Sequence, residues 1–263
     1  MAIRKKRKRK DRRKFRGTYL IPNLITTGSL FAGFFAIVAS INGRFESAAL
    51  AILVALVLDG LDGRLARLTK TTSGFGLQYD SLSDLVAFGV APALLVYLWA
   101  LKGFGRFGWV AAFLFVVCGA LRLARFNVQT GSIDPRYFNG LPIPAAAAFV
   151  ATGVLFYLNL GDWPYLRHIY VLVMIYVLSF LMVSNLKFFS FKSPDLFRRH
   201  RFQTLVALVL IFVVVATEPY VMGFVLLGTY VVSGIASTCV YYRRKPVPDQ
   251  TEEETPSPTP SNP

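Results

Sequence analysis

The chain has 263 residues, 54% of them hydrophobic, with 29 Lys and Arg against 14 Asp and Glu and a formal net charge of +15. Its mean hydropathy of +0.50 is too high for an ordinary soluble or disordered domain of this length and points to a polytopic membrane protein. The basic excess is clustered, so its position decides what it binds.

The N-terminal tail, residues 1–17, holds 11 Lys and Arg in and around "RKKRKRKDRRKFR" and stops directly before the first apolar run. A juxtamembrane polybasic segment is attracted to anionic headgroups by about 1 kcal/mol per charge. Membrane lipid, with no nucleic acid, is therefore its expected partner. The apolar run that follows is too long for a signal-peptide core and lacks a small-residue cleavage site, so a cleaved leader is not expected.

A bilayer core takes about 20 apolar residues per helix. Eight spans are predicted, near 20–41, 46–68, 80–101, 107–126, 142–160, 167–187, 203–217 and 219–242. The apolar runs are long and do not alternate, which excludes barrel strands. The last two spans are separated only by the tight turn Thr217-Glu218-Pro219, and their low polar content suggests a packing or dimer-contact role. With eight spans, 25 Lys and Arg fall on the side of both termini, against Arg44, Lys102, Arg106 and Arg167 on the other. The positive-inside rule then puts both termini, the 68–80 loop and the 122–140 loop in the cytoplasm. No organelle signal is apparent, so a prokaryotic cytoplasmic membrane is the expected location. Residues 246–263, rich in Pro, Ser, Thr and Glu, read as a disordered tail. Cys118 and Cys239 lie in apolar runs and read as buried thiols. His168 and His200 lie at segment ends, without metal-ligand spacing.

The stretch "LDGLDGRLARLTKTTSGFGLQYDSLSDLVAF", Leu58 to Phe88, departs from this apolar pattern. Asp59 and Asp62 are spaced i, i+3 and Asp80 and Asp84 i, i+4, so each pair shares one helix face. A short loop joins the second and third spans, so the two pairs are expected to face each other across antiparallel neighbours. Unit charges 4 Å apart repel by roughly 4 kcal/mol even at an effective dielectric of 20. Such a cluster must hold protons or cations, and all-oxygen ligands suit Mg²⁺, Mn²⁺ or Ca²⁺. Interhelical ion pairs are a weaker account, because Arg64 and Arg67 can neutralise two carboxylates but not four. A cation channel would spread its acids across the bilayer depth, whereas these lie near one face on two helices. A polybasic scaffold leaves them unexplained. Gly63 permits close approach to the helix backbone, and Arg67, one turn on, can fork a phosphate. "TKTTSGFG" adds hydroxyls, backbone donors and the glycines Gly74 and Gly76. Together these describe a site for a diphosphate bridged to two metals.

The pattern D-x₂-D-G-x₂-A-R-x₈-G-x₃-D-x₃-D, met at Asp59, Asp62, Gly63, Ala66, Arg67, Gly76, Asp80 and Asp84, resembles the CDP-alcohol phosphotransferase family of integral membrane enzymes. The resemblance implies an all-α fold, with a six-helix transmembrane core over residues 18–187 here and two additional helices over 188–245. It also implies transfer of a phosphatidyl or phospho-alcohol group from a CDP-linked donor to a hydroxyl, with release of CMP. Carried over, Asp59, Asp62, Asp80 and Asp84 are the ligands of two Mg²⁺ or Mn²⁺ ions, and Asp84 is also the general base. Asn23, Asp59, Gly63, Arg67 and Ser73 bind the CDP-linked lipid. A homodimer is the implied assembly.

Two further stretches bear on the acceptor. "GALRLARFNV" ends the fourth span with Arg122, Arg125 and Asn127, and "YFNGLPIPAAAA" opens the fifth. A positive-inside flank alone would account for the arginines. The combination is similar, however, to the phosphatidylserine synthases of the family, whereas members using inositol phosphate or glycerol phosphate differ here. That resemblance implies CDP-diacylglycerol as donor and L-serine as acceptor, bound through Arg122, Arg125 and Asn127. The alternative is the same chemistry with glycerol 3-phosphate, an inositol phosphate or choline. A lipid donor and a dissolved acceptor would explain why the acids sit near helix ends.

Overall fold

The computed structural model describes residues 20–68, 74–129, 137–160, 167–184, 186–189, 206 and 217–244. Both tails, the loop 69–73 and nearly all of the predicted seventh span lie outside the described residues. Within them are seven helices: α1 (Leu20–Ile41), α2 (Phe45–Leu68), α3 (Gly74–Phe104), α4 (Arg106–Gln129), α5 (Ile143–Leu160), α6 (Arg167–Val183) and α7 (Pro219–Arg244). Four of the described helices, over Asn23–Ile41, Gly74–Phe104, Arg106–Val128 and Ile143–Leu160, are long and apolar enough to cross a membrane. The chain is accordingly an integral membrane protein.

Its surface carries large apolar side chains that water would not favour. Phe31, Phe34, Val57, Phe113, Trp109 and Phe180 are all more than half exposed. The interior is built largely from small residues. Ala32, Ala36 and Ala39 of α1 meet Ala48, Ala49, Ala51, Ile52 and Ala55 of α2, all buried. Lipid tails are as apolar as Leu, so membrane helices gain by close backbone approach rather than by hiding large side chains. The buried hydroxyls are satisfied: Ser29 donates to the Ala55 carbonyl at 3.1 Å, Ser40 to Ala36 at 2.8 Å and Ser179 to Ile175 at 2.7 Å.

The structure departs from the sequence expectation at the start of the third helix and at the end of the sixth, which is expected near 187 but stops at Val183 and gives way to a strand at Lys187. The third helix, expected to begin at Asp80, begins at Gly74, so Asp80 and Asp84 sit almost two and almost three turns inside it and Gly74 and Gly76 are helical. Glycine in a helix costs about 1 kcal/mol relative to alanine. Docking offsets this cost, because Tyr79 stacks on Phe75 and its hydroxyl hydrogen-bonds Thr27 of α1 at 2.9 Å. The helix also widens to π geometry over Leu85–Val90, immediately after Asp84. Pro92 lacks the N–H that would bond the Phe88 carbonyl, and a π turn absorbs this without breaking the helix.

The second difference is a short ribbon in an otherwise helical chain. β1 (Tyr137–Asn139) pairs antiparallel with β2 (Lys187–Phe189), with Phe138 opposite Phe188. Both segments leave helices at the same end of the bundle, and extended backbone there must find partners. Gly140 continues the contact by donating to the Leu186 carbonyl at 2.8 Å. Its φ of 79° and its packing on the Met182 carbonyl, which a Cβ would strike, restrict this position to glycine.

Candidate active site

The acids converge where the ends of α2 and α3 meet. Asp59 and Asp62 lie on the third-last and second-last turns of α2, and Asp80 and Asp84 on the facing turns of α3. Carboxylate oxygens of Asp59, Asp62 and Asp80 all lie within 4.8 Å of one another. The Asp84 carboxyl lies beside that of Asp59. Two carboxylates so placed must share a proton or a cation. Opposed ligand oxygens of a six-coordinate ion are about 4 Å apart for Mg²⁺ and about 5 Å for Ca²⁺. The spacing and the hard, anionic donors therefore fit a divalent ion.

Asp62 is buried and oriented from behind. Thr26 of α1 donates its hydroxyl to Asp62 Oδ2 at 2.8 Å, and the Thr26 carbonyl accepts from Ser83 Oγ at 3.2 Å. The Gly63 N–H also donates to the Asp62 carboxylate. One threonine thus connects α1, α2 and α3 around the cluster. The sequence reading did not single out Thr26 or Ser83. The available signal was "NLITTGS", a polar group one turn after Asn23 in an apolar span.

The backbone at Gly63 is open: among the described residues, no heavy atom beyond its own helix backbone lies within 4 Å of where a Cβ would stand. The end of α2 can therefore admit a ligand on the side of the acids. Asn23 lies on α1 one turn before Thr26 and accepts, through its carbonyl, the Thr27 hydroxyl at 2.7 Å. Arg67 lies in the last turn of α2; its side chain, like the whole of Ser73, lies outside the described residues.

The α4 residues separate into two kinds. Arg122 lies within electrostatic reach of Asp84 and of Tyr230 on α7. Its Nε is buried, with no hydrogen-bond partner among the described residues. Arg125 instead donates to the Val183 carbonyl of α6 at 3.4 Å, and Asn127 donates to Ser81 Oγ of α3 at 2.9 Å. Those two bonds fix the end of α4 against its neighbours. Cys118 is a buried free thiol on α4.

Residues 19–181 match the family model described as CDP-alcohol phosphatidyltransferase. The chain is 42% identical over 221 residues to the CDP-diacylglycerol–serine O-phosphatidyltransferase of Helicobacter pylori, covering 82% of this chain and 90% of the relative. It is 38% identical over 170 residues to the archaetidylserine synthase of Methanothermobacter thermautotrophicus, covering 64% of this chain and 69% of the relative. It is 36% identical over 173 residues to the CDP-diacylglycerol–serine O-phosphatidyltransferase of Bacillus subtilis, covering 66% of this chain and 92% of the relative.

Proposed function

The chain belongs to the CDP-alcohol phosphatidyltransferase family, and on that premise we propose that it transfers the phosphatidyl group of CDP-diacylglycerol to the hydroxyl of L-serine, giving phosphatidylserine and CMP. The observation that carries this reading is the meeting of Asp59, Asp62, Asp80 and Asp84 beside Arg122, a half-buried arginine whose Nε is shielded from solvent. The serine in the names of the bacterial and archaeal relatives supports the choice of acceptor.

Asp59, Asp62 and Asp80, with Asp84 beside them, are the residues that would hold two Mg²⁺ or Mn²⁺ ions. Bound there, such ions supply charge neutralisation for the diphosphate and for the departing CMP. The chain's own groups do the rest. The open backbone at Gly63 admits the CDP moiety, Arg67 forks a phosphate, and Asn23 and Ser73 complete that side. Serine's hydroxyl has a pKa far above 7, so it must lose its proton as it attacks. Its oxygen bonds to the phosphatidyl phosphorus, the proton passes to Asp84, and the bond from that phosphorus to the CMP phosphate oxygen breaks. Arg122 pairs with serine's carboxylate through the unpartnered Nε–H. Arg125 and Asn127, both engaged with neighbouring helices, act by holding Arg122's helix in place.

The same reading places the site at the cytoplasmic surface of a prokaryotic membrane, supported by the 25 to 4 distribution of Lys and Arg along the predicted spans. A homodimer is carried on the family resemblance alone. The test is CMP release by the purified protein from CDP-diacylglycerol with Mg²⁺ or Mn²⁺, offered serine, glycerol 3-phosphate, an inositol phosphate or choline. Serine-dependent release is the expected result. Release with a different alcohol only would replace the acceptor, and no release with any alcohol would remove the transferase reading.

A further inference from the structure

The last helix, α7, lies beyond residues 19–181 that match the family model, and sequence alone gives it no more than a packing role. It docks against α5. Gly223 sits on Thr152, Phe224 stacks on Phe156 and Phe149 at 5.0 and 4.8 Å, and Gly228 sits on Phe149. Rising along α7 corresponds to falling along α5, so the two helices run antiparallel. Continuing that register, Tyr230 comes level with the first turns of α5.

Ile143 opens α5, and its side chain lies against Gly119 of α4 and Gly89 of α3. Arg122 is three residues past Gly119 and therefore on the same face of α4. The register of three helices thus brings Tyr230 and Arg122 to the same end of the bundle, near the start of α5. The side chains agree with the register. Tyr230 is half-buried, packs against the core and precedes the buried Val231. It also lies within electrostatic reach of Arg122, which in turn reaches Asp84.

We propose that Tyr230 is a positioning residue for the acceptor site: its phenol holds the Arg122 guanidinium so that the buried Nε–H is presented to the carboxylate of a small amino-acid alcohol bound beside Asp84. This rests on the reading of Arg122 as the acceptor's anchor. A guanidinium is a planar fork whose usefulness depends on orientation. Its long side chain has many rotamers, and a neighbour that restricts them raises affinity without new contacts to the ligand. The last helix then contributes to acceptor selection, a role the six-helix core does not contain.

The test uses the full-length protein in detergent with CDP-diacylglycerol and compares wild type, Tyr230→Phe, Arg122→Lys and the double variant. Tyr230→Phe keeps the ring and its packing and removes only the hydroxyl. It is expected to raise the KM for serine about three- to tenfold, the cost of immobilising one rotamer-rich side chain. Its kcat and its KM for CDP-diacylglycerol should stay within about twofold, a split that general loosening of the bundle would not produce. The double variant should be no worse than about twofold beyond the poorer single one, because both changes remove the same interaction. Serine's protection of the donor-bound protein against thermal unfolding needs no turnover, and Tyr230→Phe should lose it while donor protection remains. An unchanged KM for serine in Tyr230→Phe, or independent multiplication of the two effects, overturns the proposal. Wild-type protein that releases CMP with another alcohol but not with serine overturns the acceptor reading itself, and with it this inference only if that alcohol's KM is also unmoved by Tyr230→Phe.

Discussion

The Thr26 hydroxyl of α1 donates to Asp62 Oδ2 of α2 at 2.8 Å, and both side chains are buried. A carboxylate that is to share a cation with Asp59 and Asp80 must present one oxygen in a fixed direction, and the threonine holds the other. Partners of this kind typically govern metal affinity by about 10- to 100-fold. Thr26→Val keeps the shape and removes the donor. It should raise the Mg²⁺ or Mn²⁺ concentration needed for half-maximal CMP release by about that factor, while Thr26→Ser stays near wild type. Metal titration of the two variants checks this, and identical half-maximal concentrations would remove Thr26 from the site.

Asp84 differs from the other three acids in lying outside the tightest group of oxygens while still facing Asp59. That position suits a proton acceptor more than a primary ligand. Asp84→Asn should therefore lower turnover by at least about 100-fold, the lower range of general-base contributions, while CDP-diacylglycerol binding persists. Asp59→Asn and Asp80→Asn should weaken donor binding as well. Single-turnover kinetics set beside donor-binding isotherms separate the two. Loss of donor binding in Asp84→Asn would assign it to holding metal only.

The acid cluster was legible because helical periodicity converts the spacings of Asp59, Asp62, Asp80 and Asp84 directly into faces. The first helix, expected over 20–41, is found over Leu20–Ile41 for the same reason: one long apolar run admits one reading. The start of α3 was not legible. Gly74 and Gly76 read as loop by propensity, and the contact that overrides them, Tyr79 on Thr27, joins residues far apart in sequence. The π segment after Asp84 depends on how Pro92 is accommodated, and the ribbon depends on two three-residue strands meeting, which no local pattern signals. Thr26 and Tyr230 were missed alike, because each acts through a partner on another helix.

Arg122 and Arg125 look equivalent in sequence, three residues apart on one helix, but the structure gives them different surroundings. Arg122 lies by Asp84 with its Nε buried and unpartnered, whereas Arg125 reaches the Val183 carbonyl. Lysine retains the charge and loses the fork, so it tests geometry rather than charge. Arg122→Lys should raise the KM for serine by about tenfold or more, the size of a charge-assisted bond lost. Arg125→Lys should leave it within about twofold. Steady-state titration of serine at saturating CDP-diacylglycerol reads both, and equal effects would mean that the two arginines act together on the acceptor.

Close packing behind the site sets the last expectation. A Cβ at Gly33 of α1 would stand 2.6 Å from the Ala87 Cα and 2.8 Å from its Cβ, so α1 and α3 touch backbone to backbone there. Ala87 lies one turn beyond Asp84 and Ser83, and Gly33 two turns beyond Thr26. Any separation forced at Gly33 is therefore transmitted to the Ser83–Thr26–Asp62 chain of hydrogen bonds. Gly33→Ala should destabilise the bundle by about 1–3 kcal/mol, the usual range for overpacking, and should also raise the metal requirement in the direction seen for Thr26→Val. Gly103→Ala, where no heavy atom of the described residues beyond the immediate backbone lies within 4 Å of the added Cβ, should change stability by less than about 0.5 kcal/mol. Thermal unfolding in detergent, with the metal titration alongside, distinguishes the two substitutions. A Gly33→Ala protein that melts lower but keeps the wild-type metal requirement would show that α1 packing and Asp62 orientation are separable, and that Thr26 does not depend on the contact between Gly33 and Ala87.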